Sequence, residues 1–289
     1  MLEALAYAFM QRALLAGVLL SLVSGYYGVF VVQRGLSFLG SGLAHAAFGG
    51  VALALLLHRE PLWIAVPFTV VVALLISWVR DRTRLAGDVV IGIFFALAMA
   101  LGIVFLSRVP TYTSDAFTYL FGSILSVTPG DLAAAALLLV LALASLPLWG
   151  RWAYATADRE AALADRLPVV RDDYLLAVLL TVTIVVSVKV VGIVLMSAFL
   201  VIPAASARLL SRSFLPMSVL SILLSLLTAV TGLLASYALD LPSGSAIILT
   251  EGAVFIFCLV LTATAARRLP ALFAAKPRSP SAAADSRRP

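Results

Sequence analysis

Of the two histidines in these 289 residues, His45 stands where an imidazole is costly, near the middle of a long apolar stretch. The local run is Gly35-Leu36-Ser37-Phe38-Leu39-Gly40-Ser41-Gly42-Leu43-Ala44-His45-Ala46-Ala47-Phe48-Gly49-Gly50. Counted by fours on a helix, Ser37, Ser41, His45 and Gly49 form one stripe, and Gly42, Ala46, Gly50 and Ala54 form the next. Small residues at every fourth position let two helix backbones approach closely. The stripe therefore reads as packed inside a bundle, with an imidazole projecting into whatever lies there. Neutral imidazole is the commonest metal ligand and suits Zn, Cu, Fe and Ni. The segment is also consistent with a plainer role, a buried histidine hydrogen-bonded to a neighbouring helix.

Other reactive side chains are few. His58 follows thirteen positions on, roughly 20 Å along a helix, too far to share a site with His45, and reads as an interfacial residue or a weak capture group. Glu251 is the one acid well inside an apolar run; it could be a ligand, a proton site or a packing hydrogen bond. Lys189 fits the end of a membrane helix, where its ammonium can reach water. The single cysteine, Cys258, excludes a disulfide framework and a thiolate metal cluster. The two lysines, Lys189 and Lys276, follow Val188 and Ala275, so no phosphate-binding loop of the G-x-x-x-x-G-K-[ST] type is present. No Ser-His-Asp or paired-carboxylate pattern of a hydrolase is present either.

The elements that must position these residues follow from composition. The chain is 63% hydrophobic and 12% charged, with a mean hydropathy of +1.12; soluble domains carry about 25% charged residues. Such a chain cannot coat a water-facing surface, which excludes the soluble enzyme classes and makes it an all-α polytopic membrane protein. Ala13 to Val32 carries no charge over about 20 residues, too long for a secretory signal core of about 7–15, and reads as a first transmembrane helix. On the ruler of about 20 apolar residues per crossing, spans fall near 8–32, 36–57, 61–79, 89–107, 131–149, 174–188, 190–206, 214–238 and 246–266, giving eight to nine transmembrane helices. The sixth and seventh are short, separated by Lys189-Val190-Val191-Gly192 and interrupted at Pro203. They read either as a broken or re-entrant pair near 174–206, the transporter signature, or as one bent pair of ordinary helices.

Basic residues gather on the cytoplasmic side of membranes. With Arg34, the 80–88, 150–173 and 206–213 loops and the C-terminal tail placed inside, only Arg12, Arg59, Arg108 and Lys189 of the 20 Lys and Arg fall outside. Nine crossings then put the N-terminus out and the C-terminus in. Trp63 and Trp78 sit near opposite ends of the third span, as interfacial aromatics do. Residues 1–268 form the transmembrane domain and 269–289 a disordered basic cytoplasmic tail, rich in Pro, Ala, Ser and Arg without apolar period. The run Pro203-Ala204-Ala205-Ser206-Ala207-Arg208-Leu209-Leu210-Ser211-Arg212-Ser213 reads as a short helix on the cytoplasmic face able to dock a partner, or as an ordinary positive-inside loop.

Several of these stretches together resemble the permease subunit of the metal-ion ABC importers, which take up zinc, manganese or iron. The likeness spans most of residues 10–266. It rests on Arg34-Gly35-Leu36-Ser37-Phe38-Leu39-Gly40 leading into Leu43-Ala44-His45, on Gly87-Asp88 with Ile91-Gly92-Ile93, and on Tyr119-Leu120-Phe121-Gly122-Ser123-Ile124-Leu125. It continues through Val190-Val191-Gly192 to Val201-Ile202-Pro203-Ala204-Ala205-Ser206-Ala207 and then Leu241-Pro242-Ser243-Gly244. The 190–244 stretch is also similar in plan to the permeases for iron–siderophores and vitamin B12.

The resemblance implies a permease that is not itself an enzyme. Its implied partners are two ATPase chains, a second copy of itself and an extracytoplasmic metal-binding protein, in the cell inner or plasma membrane, with no nucleic acid. It implies that 203–213 is the coupling helix, with Pro203, Ala204, Ala205, Ser206, Arg208, Arg212 and Asp88 serving the ATPase. It implies no tightly bound cofactor, with Zn²⁺ or Mn²⁺ as transported substrate. The family's second helix commonly reads Gly-Asp-x-x-x-His, the Asp and His being its proposed metal ligands. Here His45 matches and Ser41 stands at the Asp position. A carboxylate favours Mn²⁺, whereas an imidazole with a weaker hydroxyl leans towards Zn²⁺. The resemblance further implies alternating access, with a binding protein docking on the 58–61, 108–130 and 239–245 segments. The alternatives are an iron-chelate or vitamin B12-type permease, or an ion-coupled secondary transporter for which Glu251 is nearly the only intramembrane acid.

Overall fold

The computed structural model describes residues 7–83, 85–109, 122, 127–193 and 196–273. Within these residues the backbone forms helices and turns, with no strand. In chain order the helices are α1 (Ala8–Gln33), α2 (Ser37–Leu56), α3 (Pro61–Arg82), α4 (Gly87–Leu106), α5 (Pro129–Ser145), α6 (Trp149–Ala157), α7 (Arg159–Ala164), α8 (Val169–Val191), α9 (Met196–Leu210), α10 (Phe214–Leu239) and α11 (Ser243–Phe273). Seven stretches are long and apolar enough to cross a membrane: α1 to α4, the run from α5 through a 3₁₀ turn into α6, α10, and Ser243–Thr264 of α11. An apolar helix shields its own polar backbone, which is why lipid selects this architecture.

Local chemistry sets the helix ends. Thr128 and Asp131 close a capping box on α5: the Thr128 N–H donates to Asp131 Oδ2 at 2.7 Å, and Thr128 Oγ1 accepts from the Asp131 N–H at 3.3 Å. Pro61 and Pro129 sit in first turns, where a missing N–H costs nothing. Gly192 ends α8 with φ 93°, a backbone geometry that a side chain would strain.

Two helices are wrapped by the rest. The second half of α1, from Gly25 to Val32, is continuously buried. Its backbone touches α10, where Ser221 Oγ donates to Gly25 O at 2.8 Å, and α9, where a Cβ on Gly28 would collide with Leu200 O. The α2 helix is enclosed by α3, α4 and α9. A Cβ on Gly50 would meet Ala65 Cα of α3 at 2.6 Å, one on Gly42 would meet Ile91 Cγ2 of α4 at 2.6 Å, and one on Gly40 would lie 3.5 Å from Leu200 of α9. Ala46 and Ala54 are fully buried. By contrast α4 turns Val89, Ile93, Leu97, Ile103 and Val104 outward, a face for lipid or another apolar surface.

Two expectations need correction. The sixth span is not short: α8 has 23 residues, about 34 Å at 1.5 Å per residue, a bilayer's length, although it is not among those seven apolar stretches. Its first two turns hold Arg171, Asp172 and Asp173, which read as loop because they are charged; ion pairs to Arg34, Arg151 and Arg159 hold the two aspartates in place. The break after it stands, with α9 only 15 residues long, about 22 Å. Nor is 203–213 a separate surface helix. Its first part is the end of α9, with Pro203, Ala204, Ser206 and Ala207 buried against the bundle. At the C-terminus α11 runs on to Phe273; residues 274–289 of the expected tail lie outside the described residues, as do most of Tyr119–Leu125 and of the 108–130 segment.

Candidate functional site

The imidazole of His45 is half-buried in mid-α2, and its Nδ1 lies 2.9 Å from the backbone oxygen of Ser41. A carbonyl only accepts, so Nδ1 carries the hydrogen and donates, which in the neutral ring leaves the lone pair on Nε2. A hydrogen bond from one ring nitrogen that fixes the other as a ligand is the usual way a metal-binding histidine is oriented. The ring also stands edge-on to Phe95 of α4, centroids 4.8 Å apart. Ser41 lies one turn below on the same face and is half-buried, and Ser37 below that is exposed. Among the described residues no group of three or more His, Cys, Asp and Glu gathers to hold a metal. Among the described residues, this level of α2 carries an imidazole and a hydroxyl.

His58 is exposed at the far end of α2, with φ 51°; it does not join His45. Glu251 is buried in α11, and neither carboxyl oxygen has a hydrogen-bond partner among the described residues. Helical spacing puts Glu251, Cys258 and Thr262 on one face of α11. Thr262 Oγ1 reaches Leu209 O of α9 at 3.5 Å, so this face looks towards α9 and not towards His45. Asp88, Arg208 and Arg212 are exposed at helix ends. Asp88 sits in the first turn of α4, where a carboxylate also favours the helix on electrostatic grounds alone. Ala205 is half-buried.

Sequence reasoning missed a charged junction at the end of the bundle that holds Arg34. Arg34 Nη1 donates to Asp173 Oδ1 at 2.5 Å, and Arg34 Nε to Thr156 Oγ1 at 2.8 Å. Arg159 takes the other oxygen of Asp173. Arg151 grips the buried Asp172 with two bonds, at 2.7 and 3.0 Å, the bidentate form that makes such pairs strong. Together they tie the end of α1, the α6–α7 elbow and the start of α8 at one level. The signal was there: Arg171-Asp172-Asp173 directly before an apolar run, with Arg34 and Arg151 each directly after one.

A bundle of bilayer-length apolar helices with an imidazole half-way along one of them has the build of a membrane-spanning permease. The chain belongs to the ABC 3 transport family, whose model matches residues 6–262, and is a multi-pass protein of the plasma membrane. It is 33% identical over 250 residues to the manganese transport system membrane protein MntC of Listeria monocytogenes, covering 86% of this chain and 89% of that one. It is 30% identical over 248 residues to the high-affinity zinc uptake system membrane protein ZnuB of Haemophilus influenzae, covering 86% and 95%. The solved structure of PsaBC from Streptococcus pneumoniae in complex with Fab aligns with a TM-score of 0.80 and 31% identity over 89% of this chain and 93% of that chain.

Proposed function

We propose that the chain is the permease subunit of an ATP-driven importer of divalent metal, with zinc as its preferred cargo. Relatives named for manganese and for zinc support the cargo class. The observation that carries the choice of zinc is the donor pair on α2: an imidazole with its Nε2 lone pair free, and a hydroxyl, Ser41, where a carboxylate would favour manganese. Two copies face each other across the ion path, so that each brings one His45 to it. A binding protein on the outer face releases the ion to this level, and weak ligation lets it leave again. Two ATPase chains dock on the inner face at Arg208, Arg212 and Asp88. Because the last turns of α9 are one rigid piece with its buried segment, a push on Arg208 and Arg212 reaches α1 through Pro203, Ala204, Ala205 and Ser206, and the bundle rocks between outward and inward states.

The test is metal accumulation in cells stripped of their own importers and supplied with this permease, its ATPase and its binding protein. Zinc, manganese and iron are offered in turn. Wild type takes up zinc above manganese, and Ser41→Asp moves the zinc-to-manganese ratio towards manganese by about tenfold. An unchanged ratio removes Ser41 from the ion path; no uptake of any of the three metals overturns the proposal.

A further inference from the structure

Beneath the charged junction, between the inner ends of α1, α3 and α8 and the start of α2, lies a cavity of about 540 Å³. Three arginines line it, Arg34, Arg80 and Arg159, against two carboxylates, Asp81 and Asp173. Asp173 is already committed, one oxygen to Arg34 and the other to Arg159. Asp81 lies beside Tyr174. Among the described residues, that leaves Arg34 Nη2 buried with no hydrogen-bond partner. It also leaves Arg80, half-buried beside the Gly87 backbone, with no carboxylate in ion-pair range among the described residues. A buried guanidinium nitrogen without an acceptor is costly, and a wall with one net positive charge repels a divalent metal, so the cavity is no part of the cation path. Both features are satisfied by an anion.

Depth narrows its chemistry. Half-exposed Trp78, next to the cavity wall on α3, carries Arg82 over its ring at 5.9 Å, an arrangement typical of the headgroup level. Leu39, Leu176 and Leu180 give the cavity an apolar floor behind its charged rim. Basic pockets between transmembrane helices on the cytoplasmic side recognise anionic headgroups. We infer that this cavity binds a phosphate group, held by Arg34 Nη2 and Arg80, supplied by an acidic phospholipid of the inner leaflet or by free phosphate. Bound there, it joins α1, α3 and α8 at the level where the ion pairs already tie α1 to α8.

The test uses the full-length chain in nanodiscs of phosphatidylcholine with or without phosphatidylglycerol, with retained lipid counted by native mass spectrometry. Phosphatidylglycerol is retained in preference to phosphatidylcholine, and Arg80→Gln lowers that retention about fivefold, while Arg171→Gln, exposed and outside the cavity, leaves it unchanged. Thermal midpoints in pure phosphatidylcholine verify that Arg80→Gln remains folded, and Arg34→Lys, which keeps a cation for Asp173 but loses Nη2, lowers retention in the same way. Titrated inorganic phosphate separates the sources: displacement of phosphatidylglycerol with a raised midpoint assigns the site to phosphate as such, and indifference to phosphate assigns it to the lipid. Equal retention of the two lipids, with no stabilisation by phosphate, overturns the inference. So does an Arg80→Gln chain that retains both as wild type does. None of these readouts involves metal uptake, so the outcome is independent of the proposed cargo.

Discussion

Replacing His45 with alanine lowers zinc uptake by at least about tenfold and leaves the permease folded in the membrane. Loss of a group that merely orients a metal ligand costs about 10–100-fold in affinity or activity, and loss of the only imidazole at this depth of α2 costs no less. Folding survives because the imidazole contributes little to it. Among the described residues, its one hydrogen bond goes back to the carbonyl of its own helix at Ser41, and its one ring contact is with Phe95, a pair worth about 1 kcal/mol, partly offset by alanine's helix propensity. The measurement is metal content per cell, normalised to permease in the membrane and to the ATPase that co-purifies with it. Uptake equal to wild type at equal assembly would remove His45 from the ion path and leave it a packing residue. His45→Gln sharpens the reading: it retains a polar group of similar reach without an imidazole, so uptake stays low if the ring nitrogen is the ligand.

The parts of this architecture that were legible in the sequence are those set by short-range rules. Hydropathy located the long helices because each must be apolar over the whole bilayer thickness. The spacing of Gly42, Ala46 and Gly50 marks one face of a helix whatever the neighbours are. Partners were not legible. Nothing in the sequence says that Gly50 meets α3 at Ala65 while Gly42 meets α4 at Ile91, because that depends on how three helices are arranged around α2. The start of α8 was misjudged for a related reason: Arg171, Asp172 and Asp173 suggest loop until Arg34 and Arg151, well over a hundred positions and about twenty positions away, supply the opposite charges. Likewise the small residues and two arginines of 203–213 suggested a surface helix, whereas Ala204 and Ala207 are buried because α1 lies alongside.

That contact between α1 and α9 yields the largest expected effect on the fold. Gly28→Ala adds a single methyl group, and the atom it meets is the backbone oxygen of Leu200, with Ala204 Cβ next at 3.4 Å. A flexible side chain could turn aside; a carbonyl inside a helix cannot move without shifting α9 as a whole. Overpacking of this kind costs about 1–3 kcal/mol and sometimes more, which lowers the thermal midpoint of the purified chain by at least about 2 °C. Gly150→Ala is the matched control, since nothing lies within 4 Å of a Cβ there and alanine is favoured over glycine in a helix by about 1 kcal/mol; its midpoint is equal or higher. Adding Ala204→Gly to Gly28→Ala restores little, because the colliding atom belongs to the backbone. A wild-type midpoint for Gly28→Ala would mean that α1 and α9 are not in contact at Gly28. The same displacement reaches Arg208, in the last turn of α9, and Arg212 just beyond it, so metal uptake falls further than the loss of folded protein accounts for. An uptake loss that merely tracks the folded fraction would show that the α1–α9 contact holds the bundle together without relaying motion from the ATPase.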